Sequence, residues 1–285
     1  RPPESPSTRR CRREDLGGDC ANCFGLCCVA LAFSRSSDFP VDKPAGEPCV
    51  NLVDDDSCAI HDRLRPSGYR GCTVFDCFGA GQKVSRHTFA GSSWRTDAGV
   101  RGEMFAVFPV MRRLHELLWY LDCAIAFTTD EAIGAALAEQ FDSVRRLTAG
   151  EPADVCEIDT DALYDQARPL LVRASAAHRG TGARPRPDRR IRPGADLVGV
   201  DLRRVDLRAA DLRGALLIAA DLRGVDLSRC DLLGVDLRDA NVGGADLSSA
   251  LFLTQPQVSA ATGDAATRLP EGFDRPAHWD HNPLT

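Results

Sequence analysis

Cysteine is the residue that most clearly offers chemistry in this chain. Eight of the twelve cysteines lie in one N-terminal stretch, at Cys20, Cys23, Cys27, Cys28, Cys49, Cys58, Cys72 and Cys77. A C-x-x-C spacing, as between Cys20 and Cys23, turns two thiolates toward one point, which is the arrangement that zinc and iron sites use. Eight thiolates satisfy either two four-coordinate sites or one cluster with spare thiols. The stretch therefore predicts that these eight residues ligate metal.

The adjacency of Cys27 and Cys28 bears on the number of centres. Neighbouring side chains tend to point apart. The two cysteines are therefore expected to ligate two separate metal centres, or to provide one metal ligand and one buried thiol. A disulfide framework is the alternative if the chain is exported. Adjacent cysteines and the polar, Arg-rich start of the sequence argue against export. We expect a cytoplasmic protein with reduced cysteines.

The overall composition narrows the function classes. The 285 residues carry a net charge of −6 and a pI near 5.6, so a generally basic nucleic-acid coat is excluded and direct nucleic-acid binding is not expected. Without a run of about 18 apolar residues, the sequence predicts no membrane-spanning helix. Arg outnumbers Lys 33 to 2, which favours a GC-rich bacterial genome.

The other candidate residues carry weaker signals. The G-x-S-x-G, P-loop and H-E-x-x-H motifs do not occur, so no catalytic residue is identified, no cofactor-binding loop is predicted, and whether the protein is an enzyme stays open. His61 and His87 are interpreted as structural, and His115 with Glu116 as the solvent edge of a helix. The remaining cysteines are left out of the ligand set: Cys11, Cys123, Cys156 and Cys230.

Changes of composition along the chain predict five segments. They are a disordered polar lead at 1–15, a Cys-rich metal-binding region with a helical body at 16–178, an Arg/Pro linker at 179–194, a repeat at 195–254 and a C-terminal cap at 255–285. The linker is rich in Arg and Pro, which is typical of a solvated and partly extended spacer.

Three helices are predicted in the body of the first region. Apolar residues recur at three- and four-residue steps from Met104 to Leu121, although Pro109 within this run predicts a kink or a later start. Residues 128–131 have the spacing of a capping box, which predicts a helix to about Arg146. Asp159 or Thr160 can cap the third helix.

From residue 195 the sequence repeats every five residues for twelve consecutive blocks. The third position is Leu in ten blocks, and the first position is always Ala, Val or Cys. A period of five suits a coil that turns a corner after every block, with the first and third positions facing the axis and the others facing outward. The last coil needs a cap, and we expect Leu269, Phe273 and Trp279 to pack there.

These blocks resemble the pentapeptide-repeat family, whose pattern is A(D/N)LXX, and the tail resembles that of actinobacterial members. The resemblance implies a right-handed quadrilateral β-helix with four blocks per coil, hence about three coils. Leu216 and Leu251 replace the Asp or Asn of the pattern, and we expect both to lie against another element. The fold class predicted for the chain is therefore α+β and multidomain, with a Cys-rich helical N-terminal domain before the β-helix.

The cysteine stretch resembles the CxxCxxCC-type zinc- or iron-chelating domain of bacteria. The matched features are the eight cysteines in order, with Cys58-Ala-Ile-His61, Arg65-Pro66 and Val74-Phe75-Asp76-Cys77. The gap after the first pair is three residues where the family has two. The resemblance implies a bound metal, and we favour an iron–sulfur cluster over zinc.

The primary hypothesis is a metal-binding protein with a scaffold or redox-sensing role, whose repeat binds a protein partner and whose tail can form a homodimer. One alternative is an iron–sulfur-dependent enzyme that modifies proteins. The other is a DNA mimic that protects the topoisomerase gyrase. Three coils span only ~10–15 Å at strand spacing. Ten Asp against seven Arg in the repeat leave a net charge of only −3, which makes it a poor polyanion.

Overall fold

The computed structural model describes residues 16–180 and 188–280. The chain divides into two compact units, one formed by Arg1–Phe127 and Glu131–Val172, the other by Thr128–Asp130 and Arg173–Thr285. The predicted lead at 1–15 and linker residues 181–187 lie outside the described residues, and the segment boundaries stay a prediction. No helix in the described ranges is long and apolar enough to cross a membrane.

The first unit contains the long helices. Helix α4 spans Ala98–Phe127, α5 spans Glu131–Leu147, α6 spans Pro152–Cys156, and α7 spans Thr160–Arg179, whose last residues belong to the second unit. α4, α5 and α7 are the three predicted helices. Of the two alternatives predicted for Pro109, a helix that starts after this proline was wrong, because α4 begins before it.

The cysteine stretch contains only short helical elements. α1 spans Leu26–Val29, α2 spans Arg70–Thr73 and α3 spans Ala80–Gln82; 3-10 turns cover Cys20–Asn22 and His61–Arg63, and a π-helical turn covers Lys83–Thr88. Most of the segment is loop. Its first part packs on α4 through Phe24 and Leu26, whereas residues 49–72 surround a small separate cluster around Ile60 and Tyr69. This segment therefore has little apolar core of its own.

The predicted α+β fold with a quadrilateral β-helix is wrong. Across 16–180 and 188–280 the structure contains no β-strand and no sheet, and its regular elements are helices. Nearly every five-residue block contains a two-residue turn, and at most one residue per block forms a β-bridge with the next coil, so the bridges do not extend into a strand. Other backbone groups also donate to the next coil, as Leu222 N does to Asn241 O at 2.8 Å. The repeat is a stack of turns joined by isolated parallel bridges, such as Asp201↔Asp221 and Asp221↔Asn241.

Burial within the repeat follows the five-residue period. The third-position leucines face the interior and are at most 2% exposed, and residues bridged along the repeat lie twenty positions, or four blocks, apart. Of the two residues that depart from the pattern, Leu251 is buried, but Leu216 is 41% exposed. The expectation that Leu216 packs against another element was wrong. It occupies an outward-facing second position in its block.

The tail closes the last turns of the repeat. Thr262 and Arg268 bridge to Asn241 and Asp246, which continues the pairing of the repeat. α8 spans Gln255–Ala260 and carries a capping box from Thr254. The apolar residues of the repeat contact Trp279, which is 2% exposed, and the partly buried Leu269 and Phe273. The three residues predicted to pack in the tail therefore do so.

Gly263 provides a test of this closure. A Cβ added at Gly263 would lie 2.6 Å from Cε3 of Trp279, too close for the indole to stay in place. We expect Gly263→Ala to destabilise the docked tail by about 1–3 kcal/mol, measured as faster proteolysis near the C-terminus. The control is Gly102→Ala, where an added Cβ meets no atom within 4 Å. Equal cleavage rates in the two variants would contradict the prediction.

Candidate functional site

The eight predicted ligands are all free thiols in the structure, and they fall into two groups. We call Cys20, Cys23, Cys27 and Cys77 the first thiol group, and Cys28, Cys49, Cys58 and Cys72 the second thiol group. Cys23, Cys27 and Cys77 pack at the edge of the apolar cluster on α4. The whole second group belongs to the small cluster around Ile60 and Tyr69.

The first thiol group is assembled from two chain segments. Gln82 of α3 holds the N-terminal segment, since its amide donates to Gly17 O at 2.7 Å and its side-chain oxygen accepts from Asp19 N at 3.1 Å. A Cβ placed on Gly81 would lie 2.8 Å from Cys23 Sγ and 3.7 Å from Cys77 Sγ. The two sulfurs therefore lie beside the same glycine, although 54 positions separate these cysteines in the sequence.

Burial dominates the electrostatics of the first thiol group. The pKa of Cys23 is raised to about 11, chiefly by burial, with smaller contributions from the neighbouring Cys77 and Cys20. The pKa of Cys77 is raised by burial, and that of Cys20 by burial and by Cys77. Cys27 has a raised pKa chiefly because its thiol is hydrogen-bonded to Cys28. Without a cation, these thiols are held in the neutral form.

The second thiol group is held together by backbone hydrogen bonds and loops. Cys49 N donates to Cys28 O at 2.9 Å, Cys72 N donates to Tyr69 O at 3.2 Å, and Cys58 forms an isolated bridge with Leu52. The pKa of Cys72 is raised to about 12, chiefly by burial, with smaller contributions from Cys28, Cys49 and Cys58. The pKa of Cys28 is instead lowered, first by its hydrogen bond with Cys27 and also by Lys43.

Cys27 and Cys28 lie where the two groups meet. Both are in α1, with their Sγ atoms 3.8 Å apart, yet Cys27 packs with the first cluster and Cys28 with the second. Successive residues of a helix point in different directions, which explains the division. In the described ranges, no group of three or more His, Cys, Asp or Glu side chains is arranged to hold a metal ion. Ligation by the eight thiols therefore stays a prediction.

The long helix α4 positions the loop that carries Cys77. Arg112 Nε donates to Asp76 O at 2.9 Å, and His115 Nδ1 donates to Phe78 O at 2.8 Å. His115 is 6% exposed, so its placement at a solvent edge was wrong. It follows Met111 by four residues, on the apolar stripe of α4, and this spacing was the signal for its burial. α4 thus fixes the backbone on both sides of Cys77.

The remaining candidates are exposed or have other partners. The side chains of His61 and His87 are exposed, and the backbone N–H of His61 donates to Cys58 O at 3.2 Å. Glu116 accepts from Arg112 and Tyr120. The three described cysteines outside the groups are Cys123, which is buried and disulfide-bonded, Cys156, which is partly buried, and Cys230, which is buried inside the repeat.

The aspartates of the repeat stabilise its turns. In most blocks the second-position carboxylate accepts from the backbone N–H two residues later, as Asp221 does from Arg223 N at 3.2 Å. Where the fourth residue is Arg, its guanidinium also pairs with that carboxylate, as in Arg223–Asp221 at 2.6 Å and Arg238–Asp236 at 2.7 Å. The acidic pattern is thus an Asx-type turn with a local counter-charge. This arrangement is unlike the uncompensated charge of a nucleic-acid backbone.

One repeat aspartate lies in a different environment. Asp231 is fully buried, accepts from the Ser175 hydroxyl, and lies 3.5 Å from Arg213 Nε. Arg179 Nη2 also pairs with the nearby Asp211 at 3.1 Å. Burial raises the pKa of Asp231, because a carboxylate loses hydration there. The C-terminal residues of α7 thus cover one face of the repeat within the second unit.

Comparison with known proteins gives two similarities. A family model of pentapeptide repeats matches eight copies over residues 193–224 and 215–252. Over 265 residues the chain is 48% identical to the uncharacterized protein YybG of Bacillus subtilis strain 168, which covers 93% of this chain and 95% of that protein. The similarity therefore includes the cysteine stretch as well as the repeat.

Proposed function

Because the chain belongs to the same family as YybG and carries pentapeptide repeats, we propose that it is a metal-binding protein whose repeat serves as a protein-interaction scaffold. The metal-binding part is carried by one observation. Of the eight free thiols, three of the first group and all four of the second pack in two apolar clusters, while Cys20 is exposed, and four thiolates are the usual ligand set of a structural zinc or an iron–sulfur cluster.

The surroundings of the thiols support a metal. The cysteine stretch has short helices and a small core, so a bound cation would add folding free energy that apolar packing does not supply. Several neutral thiols are also buried side by side. A bound cation would favour their deprotonated form, because thiols release their protons when they bind a metal. The thiol side chains must turn toward a common point on loading. An iron–sulfur cluster is preferred to zinc, and the cytoplasm is the compartment we propose, because all eight thiols of the stretch are free, although Cys123 is disulfide-bonded.

An iron–sulfur cluster would supply electron transfer, and hence a redox-sensing role, whereas zinc would be structural. On the protein side, Arg112 and His115 hold the loop of Cys77, and Gln82 holds the segment that carries Cys20 and Cys23. These contacts keep the thiol-bearing loops close to one another.

The scaffold part is supported by the repeat. Its interior is filled by leucines and its turns are stabilised by aspartates, so the outward-facing residues are free to vary without loss of the fold. A protein partner is the occupant we propose for these surfaces. The tail gives less support to a homodimer, because Trp279 is already buried against the repeat of its own chain.

The test is anaerobic purification followed by metal and acid-labile sulfide analysis of the full chain. We expect a brown protein with visible charge-transfer absorbance and iron and sulfide in equal amounts. Zinc without sulfide would select the structural alternative. A protein with free thiols and no bound metal, after purification from cells supplied with iron and zinc, would contradict the proposal.

A further inference from the structure

The two ends of the repeat differ in how their backbone groups are satisfied. At the C-terminal end the tail continues the pairing between coils, since Thr262 N donates to Ala240 O at 2.8 Å. At the N-terminal end, Gly194 N donates to Arg213 O at 2.8 Å, so the residues just before the repeat pair with the last block of the first coil. The first two blocks of that coil, residues 195–204, lie at the same end, and we call them the open edge.

Pairing between coils follows one pattern. Leu216, at the second position of a block in the second coil, donates its N–H to Ala195 O and accepts at its C=O from Leu197 N, both at 2.9 Å. Ile218, at the fourth position, accepts at its C=O from Gly199 N at 2.8 Å. A block joined in this way presents one donor and two acceptors to the coil that precedes it.

The open edge carries the same groups without partners. They are the N–H and C=O of Asp196 with the C=O of Val198 in the first block, and the N–H and C=O of Asp201 with the C=O of Arg203 in the second. Within residues 16–180 and 188–280 none of these six backbone groups forms a hydrogen bond, and all four residues are exposed. Unpaired backbone donors and acceptors in a row are a template for pairing with another chain.

The interior of the repeat is closed behind the open edge. Ile191 packs against the apolar residues of the interior, and Leu197 and Leu202 are at most 1% exposed. A partner at this edge therefore meets backbone groups and charged side chains. Its recognition would depend on hydrogen bonds and charge.

The charge at this end is positive, although the whole chain carries −6. Residues 188–204 contain five Arg and three Asp, a net charge of +2. Two of these arginines pair with neighbouring aspartates, as Arg203 does with Asp201 at 2.7 Å. The other three are exposed and, in the part of the chain that the structure describes, form no ion pair: Arg189, Arg192 and Arg204. They outnumber the third aspartate, Asp196, so the charge favours an acidic partner.

We propose that the open edge binds an acidic segment of a protein partner, whose backbone adds a further coil to the repeat. This inference rests on the proposed role of the repeat as a protein-interaction scaffold. The segment pairs with the two blocks through the same kind of bridges that join the coils, in the way that an extended peptide adds to the edge of a sheet. It needs the length of two blocks with a turn between them, and its carboxylates pair with the arginines that have no partner.

Three synthetic peptides, each two blocks long, separate the backbone pairing from the charge. The peptide ANLEGANLEG is acidic and keeps the turn-forming Asn of the repeat pattern, and ANLKGANLKG is its basic counterpart. In ANPEGANPEG, proline at the third position removes the N–H that would donate to the edge and leaves the charge unchanged. Each peptide is titrated into the full chain, and nuclear magnetic resonance follows the backbone amide signals of Asp196 and Asp201.

We expect the acidic peptide to shift the amide signals of Asp196 and Asp201, whereas the basic peptide and the proline peptide should leave them in place. Arg192→Gln combined with Arg204→Gln should weaken binding of the acidic peptide about fivefold or more, as expected for the loss of two exposed ion pairs. Arg229→Gln is the matched control, because Arg229 is exposed in the repeat but lies outside the open edge. This control should bind the acidic peptide like the wild type.

Equal shifts with the acidic and basic peptides, equal shifts with the proline peptide, or no shift at Asp196 and Asp201 would overturn the inference. Shifts confined to the outward faces of the repeat, for example at Arg223, would keep the scaffold role and overturn this inference alone. A repeat in which no peptide shifts any amide signal would contradict the inference and would also remove support from the scaffold role.

Discussion

Replacing Cys58 and Cys72 together with serine is expected to remove about half of the bound metal and to leave the other half in place. A serine hydroxyl is a poor ligand for the metals that thiolates select, so the second thiol group would keep only Cys28 and Cys49. The first group, of which Cys23, Cys27 and Cys77 pack in the cluster on α4, keeps all four thiols. Replacing Cys20 and Cys23 should have the reciprocal effect.

The measurement is metal content per chain, with site-resolved alkylation to show which thiols become reactive. Cys156→Ser is the matched control, because Cys156 is a free, partly buried cysteine outside both thiol groups. Its metal content should equal that of the wild type. Complete loss of metal from either double variant would indicate one shared cluster and contradict two separate centres.

The second large effect is expected inside the repeat. Leu222→Ala should destabilise the second unit by about 3 kcal/mol, because Leu222 is fully buried and its loss leaves a cavity among the neighbouring coils. Leu216→Ala removes the same atoms from the adjacent block, but at an exposed position. We expect it to change stability by no more than about 0.5 kcal/mol.

Native-state hydrogen exchange of the repeat amides measures both variants in the full chain and assigns the loss to the second unit. Comparing the two substitutions cancels most of the denatured-state contribution, because both replace leucine with alanine in similar sequence contexts. Similar losses in both variants would mean that Leu216 is covered in solution. Similar small changes in both would show that the third position does not form the core.

Local patterns were sufficient to locate the long helices and the inner face of the repeat. Apolar periodicity acts over a few residues, and Asp159 caps α7 as predicted, accepting from Ala162 N at 3.0 Å. The capping box predicted at residues 128–131 was wrong, because α5 begins only at Glu131 and the Thr128 hydroxyl has no hydrogen-bond partner in the described part of the chain. The five-residue period placed its leucines in the interior, again because periodicity is local. The error for the repeat lay in the type of backbone pairing. A period does not say how many consecutive residues pair between coils, and here the turns leave only isolated bridges.

The amino-acid sequence by itself determined which residues offer chemistry: eight cysteines at spacings suited to metal, and a period of five with small and leucine side chains directed inward. The tertiary structure alone decided how the thiols divide, with Cys27 and Cys28 in different groups, and that Lys43 is buried with its ammonium bonded to Val29 O. It also decided that Asp231 is buried against Ser175, while Asp201, at the same position of another block, is exposed. Spacing and periodicity are local properties of the chain, whereas burial and charge pairing depend on segments that are distant in sequence and meet only on folding.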